Sequence, residues 1–224
     1  GSVSHENLVS ACVICHGVPS PLVWKKYINC LENKYHAKLI DVNMRDKSYK
    51  GYSESYTRYD LKKDNGNTFS IGQSSFLCDP FIFLFTDNLF LRKSCNHCEY
   101  KAAECFADII AGDFYASVKE AGKWGCSGLI AMTPKGASVI ESTEGFKEKI
   151  DISVVRDVNH MLWKSAPEHK KRKLFFDKMK KMQDYDMSLF TNFLPVRFKI
   201  KKAMNQIGVF KYWKSLKRKI HREH

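Results

Sequence analysis

A chain of 224 residues with 44% hydrophobic content can bury one core of ordinary size or two small ones, which sets aside disordered and fibrous classes. Its formal net charge of +13 is uneven: residues 161–224 hold 18 Lys/Arg against 5 Asp/Glu, the whole of the excess, and residues 1–160 are neutral. No apolar stretch reaches the ~18 residues that span a bilayer, and the opening GSVSHENLVS lacks the basic and apolar regions of a signal peptide, so a cytoplasmic location is expected.

In chain order, CVICHGVPSP (12–21) reads as a strand end and a turn, with Ser20 capping a helix that has Pro21 at its first position. Val23, Tyr27, Cys30 and Leu31 fall on one stripe of that helix, and Trp24 and Tyr27 read as core. Ile40, Val42 and Met44 alternate with polar neighbours in a strand over 39–45, and a hairpin turns at Asn65-Gly66. Asp79-Pro80 opens a short aromatic helix, CFADIIAG (105–112) is a buried strand, and SGLIAMTPKG is a strand closed by a Thr-Pro-Lys-Gly turn. Ser165-Ala-Pro-Glu168 has the spacing of a capping box before a helix carrying Leu174, Phe175, Met179 and Met182. A last amphipathic helix fits Ala203, Ile207, Phe210 and Lys214. The class expected is α+β (mixed α/β): a central mixed sheet, flanking helices and a basic helical C-terminal tail.

Eight cysteines include two Cys-x2-Cys pairs, Cys12/Cys15 and Cys95/Cys98. Without an export signal disulfides are disfavoured, and such pairs read as metal or redox sites. A zinc ribbon sets its pairs about 15–20 residues apart, and here most of the first hundred residues intervene, so any shared site is assembled by the fold. Thiolates suit zinc and iron–sulfur clusters alike, and inert buried thiols stay open beside both.

The segments CHGVPSPLVWKKYINCLENKY, MRDKSYKGY, LFLRKSCNHCEYK, ADIIAGDF and GCSGLIAMTPKG, in this order, resemble the C-terminal domain of the coenzyme F420 hydrogenase/dehydrogenase beta-subunit family over residues 8–180. Residues 181–224 are left as the basic tail. The resemblance implies an iron–sulfur flavoprotein oxidoreductase domain that passes electrons between a 4Fe–4S cluster, FAD and F420 or another acceptor. It also implies a redox partner protein or ferredoxin-like domain, and related members sit in bacterial polysaccharide gene clusters. Cys95 and Cys98 match the family's cysteine pair and Cys15 its Cys-His-Gly turn, which makes them implied cluster ligands. Cys105 is the local fourth, standing where the family carries Arg, and Cys12 is the alternative. A cofactor-less or zinc-binding interaction module is the competing reading.

His16 is a candidate donor beside such a cluster. A flavin needs backbone amides or cations at its pyrophosphate and a dipole near its ring. Gly112 and Asp113, where a strand ends, together with Ser127 and Thr133, can supply the close approach and hydroxyls, and Arg45 and Lys47 can clamp phosphate or pair with Asp46. Each also fits ordinary turn or surface chemistry, and no Gly-x-Gly-x-x-Gly is present. The tail interleaves Phe198, Ile207, Phe210, Trp213 and Ile220 with lysines, a pattern suited to an anionic membrane surface. Nucleic acid ranks below it, because no recognised binding module accompanies the charge. A solvated helix packed on the domain is the plainer alternative.

Overall fold

Residues 7–48, 51–52, 56–74, 78–101, 105–114 and 123–206 are described by the computed structural model, and they form the α+β class expected. In chain order the elements are β1 (Ala11–Val13), α1 (Pro21–Tyr35), β2 (Lys38–Asp46), β3 (Tyr56–Lys62), β4 (Thr68–Ser74), α2 (Pro80–Thr86) and α3 (Lys93–Asn96). They continue with β5 (Ile109–Phe114), β6 (Cys126–Ala131), α4 (Pro134–Ser142), α5 (Ile152–Val158), a 3-10 turn (His160–Leu162), α6 (Arg172–Lys181), α7 (Ser188–Thr191) and α8 (Val196–Gln206). The strands form two three-stranded sheets, where the sequence suggests one central mixed sheet. The chain divides into two compact units, residues 1–18 with 91–167 and residues 19–90 with 168–224, a division by compactness that cuts across the expected 8–180 and 181–224.

The first unit is built on the mixed sheet β1-β5-β6, in which β1 runs parallel to β5 and β6 antiparallel to it. Ile110, Phe114, Val155 and Leu162 form its small core, with Cys12, Ile14 and Ile130 packed against them. Gly112 pairs with Gly128 across β5 and β6, and a Cβ at Gly112 would meet the Ile14 side chain at 2.8 Å. Thr-Pro-Lys-Gly is a helix start, not a closing turn. Thr133 caps α4 by accepting from the Gly136 N–H at 3.1 Å, and Pro134 occupies the first turn, where its missing N–H costs nothing.

The second unit holds the antiparallel meander β2-β3-β4 and the helices α1, α2, α6, α7 and α8. On α1 the stripe Val23, Tyr27, Cys30 and Leu31 is buried as expected, with Trp24 against it. Alternation in β3 buries Thr57, Tyr59 and Leu61, and the β3–β4 turn places Gly66 at φ 87°, which glycine adopts without strain. Aromatic rings dominate the core: the Tyr27 ring lies 5.2 Å from that of Phe81 and 4.9 Å from that of Phe190. Buried Lys26 donates to the carbonyls of Met179 (3.2 Å) and Met182 (2.7 Å), placing a cation on the C-terminal end of α6 where the helix dipole favours it. The expected capping box at Ser165 does not start this helix, which opens at Arg172 after Lys171. The last helix is described through Gln206, so Ile207, Phe210, Trp213, Lys214 and Ile220 lie outside the described residues.

Candidate functional site

Within the first unit the chain after β1 and the chain around α3 meet at a small cleft of ≈ 40 Å³. Cys15, Cys95 and Cys98 line it together with His16, Lys101 and Tyr100. Local hydrogen bonds fix the two arms. Cys95 lies in the single turn α3, and its Sγ accepts the Val18 N–H at 3.3 Å. The Arg92 N–H donates to the Val18 carbonyl at 2.8 Å, tying the same two arms through the backbone. Gly17 permits this approach, since at φ 152° a Cβ would come within 3.0 Å of the Leu91 side chain and 3.4 Å of Cys95 Cβ. The Cys98 N–H donates to Ser165 Oγ at 3.0 Å, and Asn96 Nδ2 to the Ala166 carbonyl at 2.9 Å. Ser165 therefore holds the cysteine loop, which is why it is not a helix cap.

Cys12 and Cys105 adjoin the same group of thiols. Burial, and then a hydrogen bond with the Cys105 thiol, push the Cys12 thiol up to about 11, and Cys98 is close enough to add to the effect. The four ligands expected from the sequence, Cys15, Cys95, Cys98 and Cys105, and the alternative Cys12 thus fall in one unit and in one neighbourhood. Cys15 is exposed and the other four half-buried. Among the described residues, no three His, Cys, Asp or Glu side chains are already placed to hold a metal ion.

Sequence reasoning passes over Lys101, which ends the segment LFLRKSCNHCEYK. It is buried, it lines the thiol cleft, and its ammonium donates to the Met161 carbonyl at 3.4 Å. Its spacing three residues after Cys98 is the signal that could have found it.

The residues expected to hold a flavin are divided. Gly112, expected to admit a ligand, admits Ile14 instead. Thr133 is engaged by structure: its hydroxyl donates to Asp108 Oδ1 at 2.7 Å as it caps α4. The Asp113 carbonyl accepts from Asn159 Nδ2 at 3.2 Å. Ser127 lines a second, wider cleft of ≈ 840 Å³ in the first unit, walled by Phe114, Ile130, Phe146, Ile152 and Val155. Arg45 and Lys47 belong to the second unit, where they stand 5.3 and 5.1 Å from the centre of the Tyr52 ring. Asp46 accepts from the Ser48 N–H at 2.9 Å and pairs with Arg58 Nη1 at 3.0 Å; these contacts, Ser48 foremost, hold its carboxyl below the usual range.

The family model for the C terminus of the coenzyme F420 hydrogenase/dehydrogenase beta subunit matches residues 3–184 of the 224. No curated protein and no solved structure matches the chain significantly.

Proposed function

We propose a function on the premise that this chain belongs to the family formed by the C-terminal region of coenzyme F420 hydrogenase/dehydrogenase beta subunits: its first unit is an electron-transfer domain that holds an iron–sulfur cluster at the thiol cleft. One observation carries this reading, the convergence of Cys15 with Cys95 and Cys98 on a single cleft from two separate stretches of sequence. A cubane cluster takes four thiolates, and when bound it supplies one-electron transfer at a potential set by charge, hydrogen bonding and exposure. Cys15, Cys95 and Cys98 would hold three of its irons and Cys105 the fourth, with Cys12 as the neighbouring thiol. The donor set is right for such a cluster, since soft thiolates select iron–sulfur centres and zinc over hard cations. The Val18 N–H donates to Cys95 Sγ, a bond that would raise the potential of a cluster held there.

For the flavin implied by the family resemblance, the same proposal takes the wide cleft along β6, with Ser127 at its wall. Its volume lies within the range of about 300–1,000 Å³ usual for ligand pockets, and its lining is largely apolar. F420, the electron carrier in the family's name, or another acceptor completes this reading. The test is chemical analysis of the full chain reconstituted anaerobically with iron and sulfide, followed by extraction of bound flavin. Iron with equal acid-labile sulfide is the expected result. Zinc without sulfide, or no metal at all, overturns the cluster, and protein that stays free of flavin overturns the second assignment alone.

A further inference from the structure

Helix α8 packs inward through a single apolar side chain and carries its apolar stripe outside. Phe198 is the inner anchor: it is 2% exposed, and its ring lies 4.5 Å from that of Phe83. Val196, Ile200 and Ala203 fall at i, i+4 and i+7, an apolar stripe on a different face. All three are exposed, Val196 to 71% and Ile200 to 54%. Arg197 and Lys199, also exposed, flank them. A helix that faces water ordinarily carries polar residues on its outward side. Here that side is apolar and edged with cations.

Charge continues the pattern along the chain. From Met187 to His224 the sequence holds ten Lys/Arg and a single acid, Glu223. Among the described residues no helix is long and apolar enough to cross a membrane. An apolar stripe bordered by Lys and Arg, without the length to span, is the composition of a helix lying in the plane of a membrane interface. Nucleic acid would engage the cations but leaves Val196 and Ile200 without a role.

We propose that α8 docks the protein on an anionic lipid bilayer, its Val196–Ile200–Ala203 stripe entering the boundary between headgroups and acyl chains while Arg197 and Lys199 meet the acidic headgroups. The inference is independent of the cluster, because every residue it uses lies in the second unit. Co-sedimentation of the full chain with phosphatidylglycerol-containing vesicles and with pure phosphatidylcholine vesicles tests it. Binding is expected to the former only, and to fall away in about 1 M salt, where the Debye length shrinks to ~3 Å. The V196S/I200S double variant is expected to bind at least tenfold more weakly with an unchanged circular dichroism spectrum, and R197E/K199E to lose binding as well. Equal binding of V196S/I200S and the parent overturns the proposal. So does equal binding to both vesicle types. Retention on heparin or duplex DNA together with no vesicle binding assigns the surface to a polyanion instead, and likewise overturns it.

Discussion

Two carboxylates show what single side chains contribute. Asp79 caps α2 through the Ile82 N–H (3.0 Å) and accepts the Tyr59 hydroxyl at 2.7 Å, both residues being inaccessible to water. Burial, and then the neighbouring Tyr27 and Asp79, drive the Tyr59 phenol far above its usual value, so it remains the donor. Tyr59→Phe is expected to cost about 1.5–3 kcal/mol, the range for a hydrogen bond to a charged group, read as a lowered urea midpoint at unchanged slope. Asp108 plays the matching part in the first unit. It accepts from the Ser10 N–H (2.9 Å), the Ser10 hydroxyl (3.0 Å) and the Thr133 hydroxyl (2.7 Å). These bonds, the Ser10 N–H foremost, hold its carboxyl at about 2 against an ordinary 3.8. A depressed carboxylate stabilises the fold above its unfolded value and loses that contribution as pH falls through the folded one. Unfolding curves should therefore show wild-type stability declining from pH 3.8 toward about 2 more steeply than in Asp108→Asn. Identical slopes would contradict the assignment. Asp108 belongs to the family-like segment ADIIAGDF, yet its partners sit 98 and 25 residues away, which no local pattern reveals.

Elements were legible where one face or one turn dictates them. The Pro21 start of α1, the Asn65-Gly66 hairpin and the Asp79-Pro80 opening of α2 rest on residues close in sequence, and the α1 stripe on its period. Ser20 does stand at the N-cap of α1, but its side chain makes no cap hydrogen bond, contrary to the expected capping. Misreadings arose where a residue has a distant partner. Ser165 and Glu168 have capping-box spacing, but the Ser165 hydroxyl serves the Cys98 N–H from 67 residues away. Thr-Pro-Lys-Gly has turn composition, but the packing of α4 on Asp108 makes it a helix start. Gly136 is the reason: a Cβ there would fall 2.0 Å from the Asp108 carbonyl oxygen, whereas one at Gly128 would meet only ordinary contacts from 3.7 Å. Gly136→Ala is expected to destabilise the first unit by about 3 kcal/mol, the upper range for overpacking. Gly128→Ala should stay within about 1 kcal/mol of the parent, the scale of a tolerated interior glycine change. Denaturant unfolding of the two variants side by side measures the contrast, and equal midpoints would contradict it.

At the scale of the molecule, the sequence disclosed the family and the thiols but not the grouping that the chain imposes on them. Each compact unit takes two separated stretches, so Cys15 reaches Cys95 and Cys98 only because residues 1–18 return to residues 91–167. The residues expected from the sequence to hold a flavin fared differently for the same reason: Arg45 and Lys47 belong to one unit, and Gly112, Asp113, Ser127 and Thr133 to the other. If the thiol cleft holds a cluster, removing any lining cysteine deprives an iron of its ligand. Cys30 is a fitting control, being buried in the second unit with its thiol donating to the Asp184 carbonyl at 3.6 Å. The decisive measurement is iron and acid-labile sulfide per chain after anaerobic reconstitution of the parent, Cys15→Ser, Cys95→Ser, Cys98→Ser and Cys30→Ser. Iron and sulfide retained in the parent and in Cys30→Ser but lost from the other three is the predicted result, and equal iron in all five proteins would contradict it.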